Sequence, residues 1–147
     1  MLGVTALLAY YVSAYHFQLM VIQGQSMYPS YHNYQLVILD KQSKEFKPGD
    51  VVAFQCETVG SLLVKRIVAV PGDTVLVRNG ILYVNGMLDM EALSRGKIMY
   101  AGLAESTITL LEGEFFVLGD NYEYSRDSRY VEIGNVQQGS IAGTVLP

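Results

Sequence analysis

The side chains whose types could do chemistry fall in three short stretches. In G-Q-S-M-Y-P-S, residues 24–30, Ser26 stands between flexible Gly24 and rigid Pro29. A serine becomes a nucleophile only beside a base. A glycine two residues ahead leaves backbone N–H groups approachable, as an oxyanion site requires. The same residues are also ordinary turn chemistry, so the other two stretches must decide between the readings.

The second stretch is S-L-L-V-K-R-I-V-A-V, residues 61–70. Read as a strand, it puts Leu63, Lys65, Ile67 and Ala69 on one face and Leu62, Val64, Arg66, Val68 and Val70 on the other. Both faces are apolar, which predicts a strand covered on both sides. Two consecutive cations are out of place there, because burying an unpaired charge is expensive. Arg66 keeps its proton and needs an acidic partner. Lys65 can instead lose its proton, since desolvation and a neighbouring cation both lower a lysine pKa. A neutral lysine is a competent general base. The alternative is a strand end from which both side chains reach water.

The third stretch, G-D-N-Y-E-Y-S-R-D-S-R at 119–129, crowds Asp120, Ser125, Arg126, Asp127, Ser128 and Arg129 behind the apolar run 115–118. Asp127 could supply the carboxylate that Arg66 or Arg129 requires. Ser125 or Ser128 could orient an amine; the other reading is a solvated, salt-bridged loop. The histidines do not build a Ser-His-Asp triad: His16 lies in an uncharged front segment, and His32 follows Ser26 in the same connection. Ser26 with Lys65 is the better-motivated pair. Two histidines and the single Cys56 show no ligand spacing, so no metal site is expected.

The elements that must position these residues read as short strands. Runs rich in Val, Ile, Leu and Tyr predict strands at 35–39, 51–55, 62–70, 74–77, 81–84, 114–118 and 140–145. They are separated by K-P-G-D, V-P-G-D, R-N-G, V-N-G and L-G-D-N, all with turn chemistry. Asn79-Gly80 is a hairpin signal. The only helical signal after residue 22 is a short turn near 90–94. The expected fold is mainly β, an antiparallel sheet or barrel spanning 23–147, with a small cap inserted at about 85–109.

Residues 1–22 carry no formally charged side chain, and the first in the chain is Asp40. As one helix they would reach roughly 33 Å, about one hydrocarbon core. A transmembrane or membrane-associated segment is therefore expected, ahead of a cleaved signal peptide or a buried helix or strand. A signal peptide would show a basic lead and a small-x-small cleavage site, and neither is present. The 147 residues are 50% hydrophobic and 16% charged, which argues against disorder. A net charge of −4 with no basic patch argues against nucleic acid. One cysteine excludes an internal disulfide.

Taken together, G-Q-S-M-Y-P at 24–29, V-K-R-I-V-A-V-P-G-D at 64–73 and G-D-N…S-R-D-S-R at 119–129 resemble the type I signal peptidases, Ser/Lys proteases that remove signal peptides from exported proteins. Order and spacing agree, and the resemblance runs across nearly the whole chain. It implies Ser26 as nucleophile and Lys65 as general base. Ser125 matches the serine that orients the lysine amine, Asp127 and Arg129 match a supporting ionic pair, and Arg66 matches its basic neighbour. Ile22 and Met27 match positions lining the pocket for the residue before the cut. Some members carry a hydroxyl residue where Gly24 stands, so the Ser26 backbone N–H is the oxyanion donor expected here. Ala69 replaces a commoner glycine, and Tyr122 stands where arginine is frequent.

The function implied is cleavage of signal peptides from membrane-bound preproteins, with small residues favoured before the cut and neither metal nor cofactor. The location implied is the bacterial cell membrane, single-pass, with the catalytic domain on the extracytoplasmic side and lipid as a partner. A non-catalytic relative serving surface-protein or pilus assembly as a chaperone would lack Ser26 or Lys65, and both are present. A self-cleaving repressor-type protease would carry a helix-turn-helix ahead of the serine, where this chain has its hydrophobic segment.

Overall fold

The computed structural model describes residues 2–147. Its strands, in chain order, are β1 (Phe17–Val21), β2 (Leu36–Asp40), β3 (Val51–Cys56), β4 (Ser61–Ala69), β5 (Thr74–Arg78), β6 (Ile81–Val84), β7 (Met87–Leu88), β8 (Ile108–Thr109), β9 (Glu114–Leu118), β10 (Val136–Gln137) and β11 (Ile141–Val145). The helices are α1 (Leu2–His16) and α2 (Met90–Ser94). Two antiparallel sheets result, with orders β1-β2-β11-β3-β4-β9-β10 and β7-β6-β5-β8. The larger sheet is open, with β1 and β10 at its edges. All seven expected strands are present, and β1, β7, β8 and β10 are additional.

The turns explain where the chain reverses. K-P-G-D and V-P-G-D each close with an i to i+3 bond, Asp50 N to Lys47 O and Asp73 N to Val70 O, with Gly49 at φ 97° and Gly72 at φ 91°. Proline at the second position and a positive-φ glycine at the third define a type II turn. Asn79-Gly80 and Asn85-Gly86 take positive φ at both positions, the type I′ geometry that matches hairpin twist. The first closes β5 on β6 and the second closes β6 on β7. The expected cap region, 85–109, contributes β7, α2 and β8, and it shares its sheet with the β5–β6 hairpin.

The front of the chain departs from the expectation of one continuous segment over 1–22, of which Met1 lies outside the described residues. Helix α1 stops at His16, and Phe17–Val21 instead pairs along its whole length with Leu36–Asp40. At 1.5 Å per residue, α1 reaches about 22 Å, short of a hydrocarbon core of about 30 Å. Among the described residues no helix is long and apolar enough to cross a membrane. Absence of charge did not distinguish helix from strand; the available partner β2 did.

Strand β4 also departs from strict alternation. Its pairing with β9 shifts register between Ile67 and Ala69, so one extra residue turns the strand. Val68 and Ala69 consequently join the same core, together with Phe116 and Leu118 of the larger sheet and Val75, Val77 and Leu82 of the smaller one. That shared core ties the two sheets together. A second cluster, with Ile22, Met27, Leu39, Ala53 and Val145, lies beneath the loop that follows β1.

Candidate active site

The loop from β1 back to β2 is held at both ends before it presents Ser26. Ile22 N bonds Gln35 O and Tyr34 N bonds Ile22 O, continuing the ladder beyond the strands. Gly24 takes φ +86°, which a side chain would strain, and its N–H donates to Asn33 Oδ1 at 2.8 Å. Tyr28 N closes the next turn on Gln25 O, and Met27 is driven fully into the core below. Ser26 is left half-buried at the lip.

Lys65 approaches from β4, one residue before the Arg66–Leu118 pair where β9 joins that strand. Only 4% of it is exposed, so it does not reach water from a strand end. Its Nζ donates to Ser26 Oγ at 2.9 Å and to Val64 O at 2.9 Å. Burial pushes the amine down from 10.5 to about 8, while the negative charge of Asp127 pulls the other way. The neighbouring cation invoked from sequence is not a cause of this shift. Arg66 turns to other partners, and its charge is neutralised there.

Those partners are in the 119–129 loop. Arg66 donates Nε to Asp120 Oδ1 at 2.8 Å and Nη2 to Asp120 Oδ2 at 2.6 Å, with Nη1 on Gly49 O. Arg95, just past α2, adds a second cation to Asp120 at 3.4 Å. Burial pushes the Asp120 carboxyl up, but hydrogen bonds from Arg66 and Ser30 and the charges of Arg66 and Arg95 hold it below the usual range. Asp120 thus joins β4, the K-P-G-D turn and the cap. Of the two arginines that could have claimed Asp127, the structure gives it Arg129.

Asp127 and Arg129 are 0% and 1% exposed. They form a two-pronged pair, Nε to Oδ1 at 2.8 Å and Nη2 to Oδ2 at 2.9 Å. The remaining guanidinium donors go to the carbonyls of Tyr100, Tyr122 and Ser125. Asp127 Oδ2 also accepts from Gly119 N and from the Ser125 hydroxyl at 2.7 Å. A buried charge pair survives only when its spare donors and acceptors are met in this way. The resemblance had Ser125 on the lysine amine. Here its proton goes to Asp127, and the hydrogen bonds of Lys65 Nζ run to Ser26 and Val64.

Gly119 is where loop and nucleophile turn touch. A Cβ there would lie 2.1 Å from Ser125 Oγ and 2.6 Å from Ser26 O, so nothing larger fits. Beside it runs a groove of about 380 Å³, lined by Met20 to Gln23, Ser26, Met27 and residues 61–65. Ile22 and Met27 form part of its lining, together with Lys65. The histidines lie elsewhere: His16 meets Gln42, and His32 packs its ring edge-on to Tyr28.

Comparison with known proteins places this arrangement. A family model described as signal peptidase, peptidase S26, matches residues 1–146. The chain belongs to that family. This S26 peptidase is 32% identical over 96% of its length to signal peptidase I T of Bacillus subtilis (strain 168), covering 78% of that protein. It is 34% identical to signal peptidase I S of the same organism, at 96% and 81% coverage. A crystal structure of a signal peptidase I from Enterococcus faecalis V583 superposes with a TM-score of 0.54 at 31% identity, over 70% of this chain and 97% of that one. The chain is therefore a serine peptidase, a hydrolase.

Sequence reasoning named Asp120 without its partners, and it passed over Asn121, Gly119 and Asn33 as site-building residues. By itself G-D-N offers only turn chemistry, and as part of the 119–129 motif it assigns no role to Gly119 or Asn121. Its contact with the serine turn comes from a residue separation that no local pattern reveals.

Proposed function

We propose that this chain is an endopeptidase that removes signal peptides from preproteins, with Ser26 as nucleophile and Lys65 as general base. The observation that carries the reading is the 2.9 Å contact between Lys65 Nζ and Ser26 Oγ at the end of a groove. A buried lysine with its pKa lowered to about 8 is partly neutral near neutral pH. In that form it takes the Ser26 proton as Oγ attacks the scissile carbonyl. The Ser26 N–H faces the developing oxyanion, since Gly24 offers no hydroxyl. The protonated lysine passes its proton to the leaving amine, and a water activated by the again neutral lysine clears the acyl-enzyme. Asp127, Arg129 and Ser125 hold the surrounding loop, and the Arg66–Asp120 pair holds β4 against it.

The substrate lies extended. The N-terminal half of β4 precedes the residues paired with β9, so its free edge offers main-chain groups for strand addition. Ile22 and Met27 close the pocket beneath the residue before the cut, which favours small side chains there. Attachment to a lipid surface is supported by an uncharged α1 that exposes Leu7, Leu8, Tyr10 and Tyr11, and by the outer face of β1 and β2. There Leu19 pairs with Ile38 and Val21 with Leu36, all exposed. Apolar surface of that kind marks an interaction site.

The test is cleavage of a preprotein carrying an Ala-x-Ala site. Ser26→Ala and Lys65→Ala should each lower kcat by at least about 10³-fold, as loss of a nucleophile or its base does elsewhere. Parental rates in both variants would remove the dyad from consideration.

A further inference from the structure

Asn121 grips Ser26 from both sides. Its backbone N–H donates to Ser26 O at 2.9 Å, and its side-chain Nδ2 donates to Gln25 O at 3.1 Å. These two carbonyls belong to the two peptide planes that meet at the Ser26 Cα. A trans peptide is planar, with C=O and N–H pointing to opposite sides. Holding Gln25 O therefore aims the Ser26 N–H, which donates to no acceptor among the described residues. A donor on the carbonyl also polarises the amide and strengthens that N–H. The approach is possible because residue 119 is glycine, as a Cβ there would stand 2.6 Å from Ser26 O.

We infer that Asn121 is a positioning residue of the reaction: it fixes the Gln25–Ser26 peptide so that the Ser26 N–H meets the oxyanion. This rests on Ser26 being the nucleophile. Asn121 acts through the peptide it holds. Its effect belongs to the transition state, where the oxyanion carries charge, and not to ground-state binding.

Asn121→Asp keeps the side-chain shape and removes the donor, and Asn121→Ala removes both. With an Ala-x-Ala peptide substrate, each variant should lose about 10- to 100-fold in kcat, less than the 10²–10³ typical of deleting an oxyanion donor outright. KM should stay within about twofold, since ground-state contacts are untouched. In Asn121→Ala, which adds no charge, the pH profile should keep its inflection at about 8, because Lys65 keeps its surroundings. Affinity for a peptide aldehyde ending in alanine, whose hemiacetal oxyanion takes the same N–H, should fall by a factor similar to kcat. Parental kcat in both variants overturns the inference. So does a loss carried by KM, or a moved inflection in Asn121→Ala, and so does a kcat loss with unchanged aldehyde affinity. Ser26→Ala runs alongside. If it still cleaves, the nucleophile assignment falls and this inference with it; if it is inert while both Asn121 variants are fully active, only this inference falls.

Discussion

Replacing Lys65 by Met asks whether the amine is held in a site that disfavours its charge. Methionine keeps the length and the apolar stem of lysine and removes the ammonium. Burial lowers the Lys65 pKa from 10.5 to about 8 in the folded chain. At about 1.4 kcal/mol per pH unit, that shift is a folding penalty of about 3 kcal/mol while lysine is protonated in both states. The folded pKa is depressed, so the unfolded chain holds the extra proton between the two values. The parent's stability therefore rises as pH climbs from about 8 to 10.5 and is lost again as pH falls through the folded value. The variant has no such group. Denaturant unfolding of both proteins across that range isolates the effect, because every other titrating group cancels in the difference. The parent should gain about 3 kcal/mol on the variant between the low and high ends. Losing the bonds to Ser26 Oγ and Val64 O adds a pH-independent offset of about 1 kcal/mol each against the variant. Parallel pH–stability curves for the two proteins would refute the claim that burial strains the charged lysine.

The pH dependence of kcat/KM should rise through an inflection near pH 8 and level off above it; an optimum on the acid side of about pH 6 would contradict a lysine base. The Asp127–Arg129 pair has no solvent to replace a lost partner, so Asp127→Ala or Arg129→Met should each cost about 3–5 kcal/mol in urea unfolding. Removing both should cost less than the sum of the two, and additive losses would argue against a coupled pair. Flotation with lipid vesicles tests the apolar face: the parent should rise with the vesicles and a Leu19→Glu, Ile38→Glu double variant should stay behind. Equal flotation of both would move membrane contact away from β1 and β2.

Much was legible in the chain because it is decided locally. A type II turn needs proline then glycine, a type I′ turn needs Asn-Gly, and alternating apolar runs between them become strands whatever lies far away. Lys65 was legible for a related reason: a cation flanked by Leu63, Val64, Ile67 and Val68 cannot be cheaply buried, so its presence had to mean something. What the residues could not disclose is pairing over distance. Whether Phe17–Val21 continues a helix or joins a sheet depended on β2 being beside it. Which carboxylate answers Arg66 depended on how the 119–129 loop folds across β4: Asp120 faces Arg66, and Asp127 turns inward to Arg129 and the Ser125 hydroxyl. The bulge at Val68, the closeness of Gly119 to Ser26 O and the grip of Asn121 on the serine turn all arise from contacts between distant segments. The sequence by itself determined the kinds of group at the site and the turns that carry them. Only the tertiary structure decided which of those groups meet, because hydrogen bonds and ion pairs act over about 3 Å and sequence order does not set that distance.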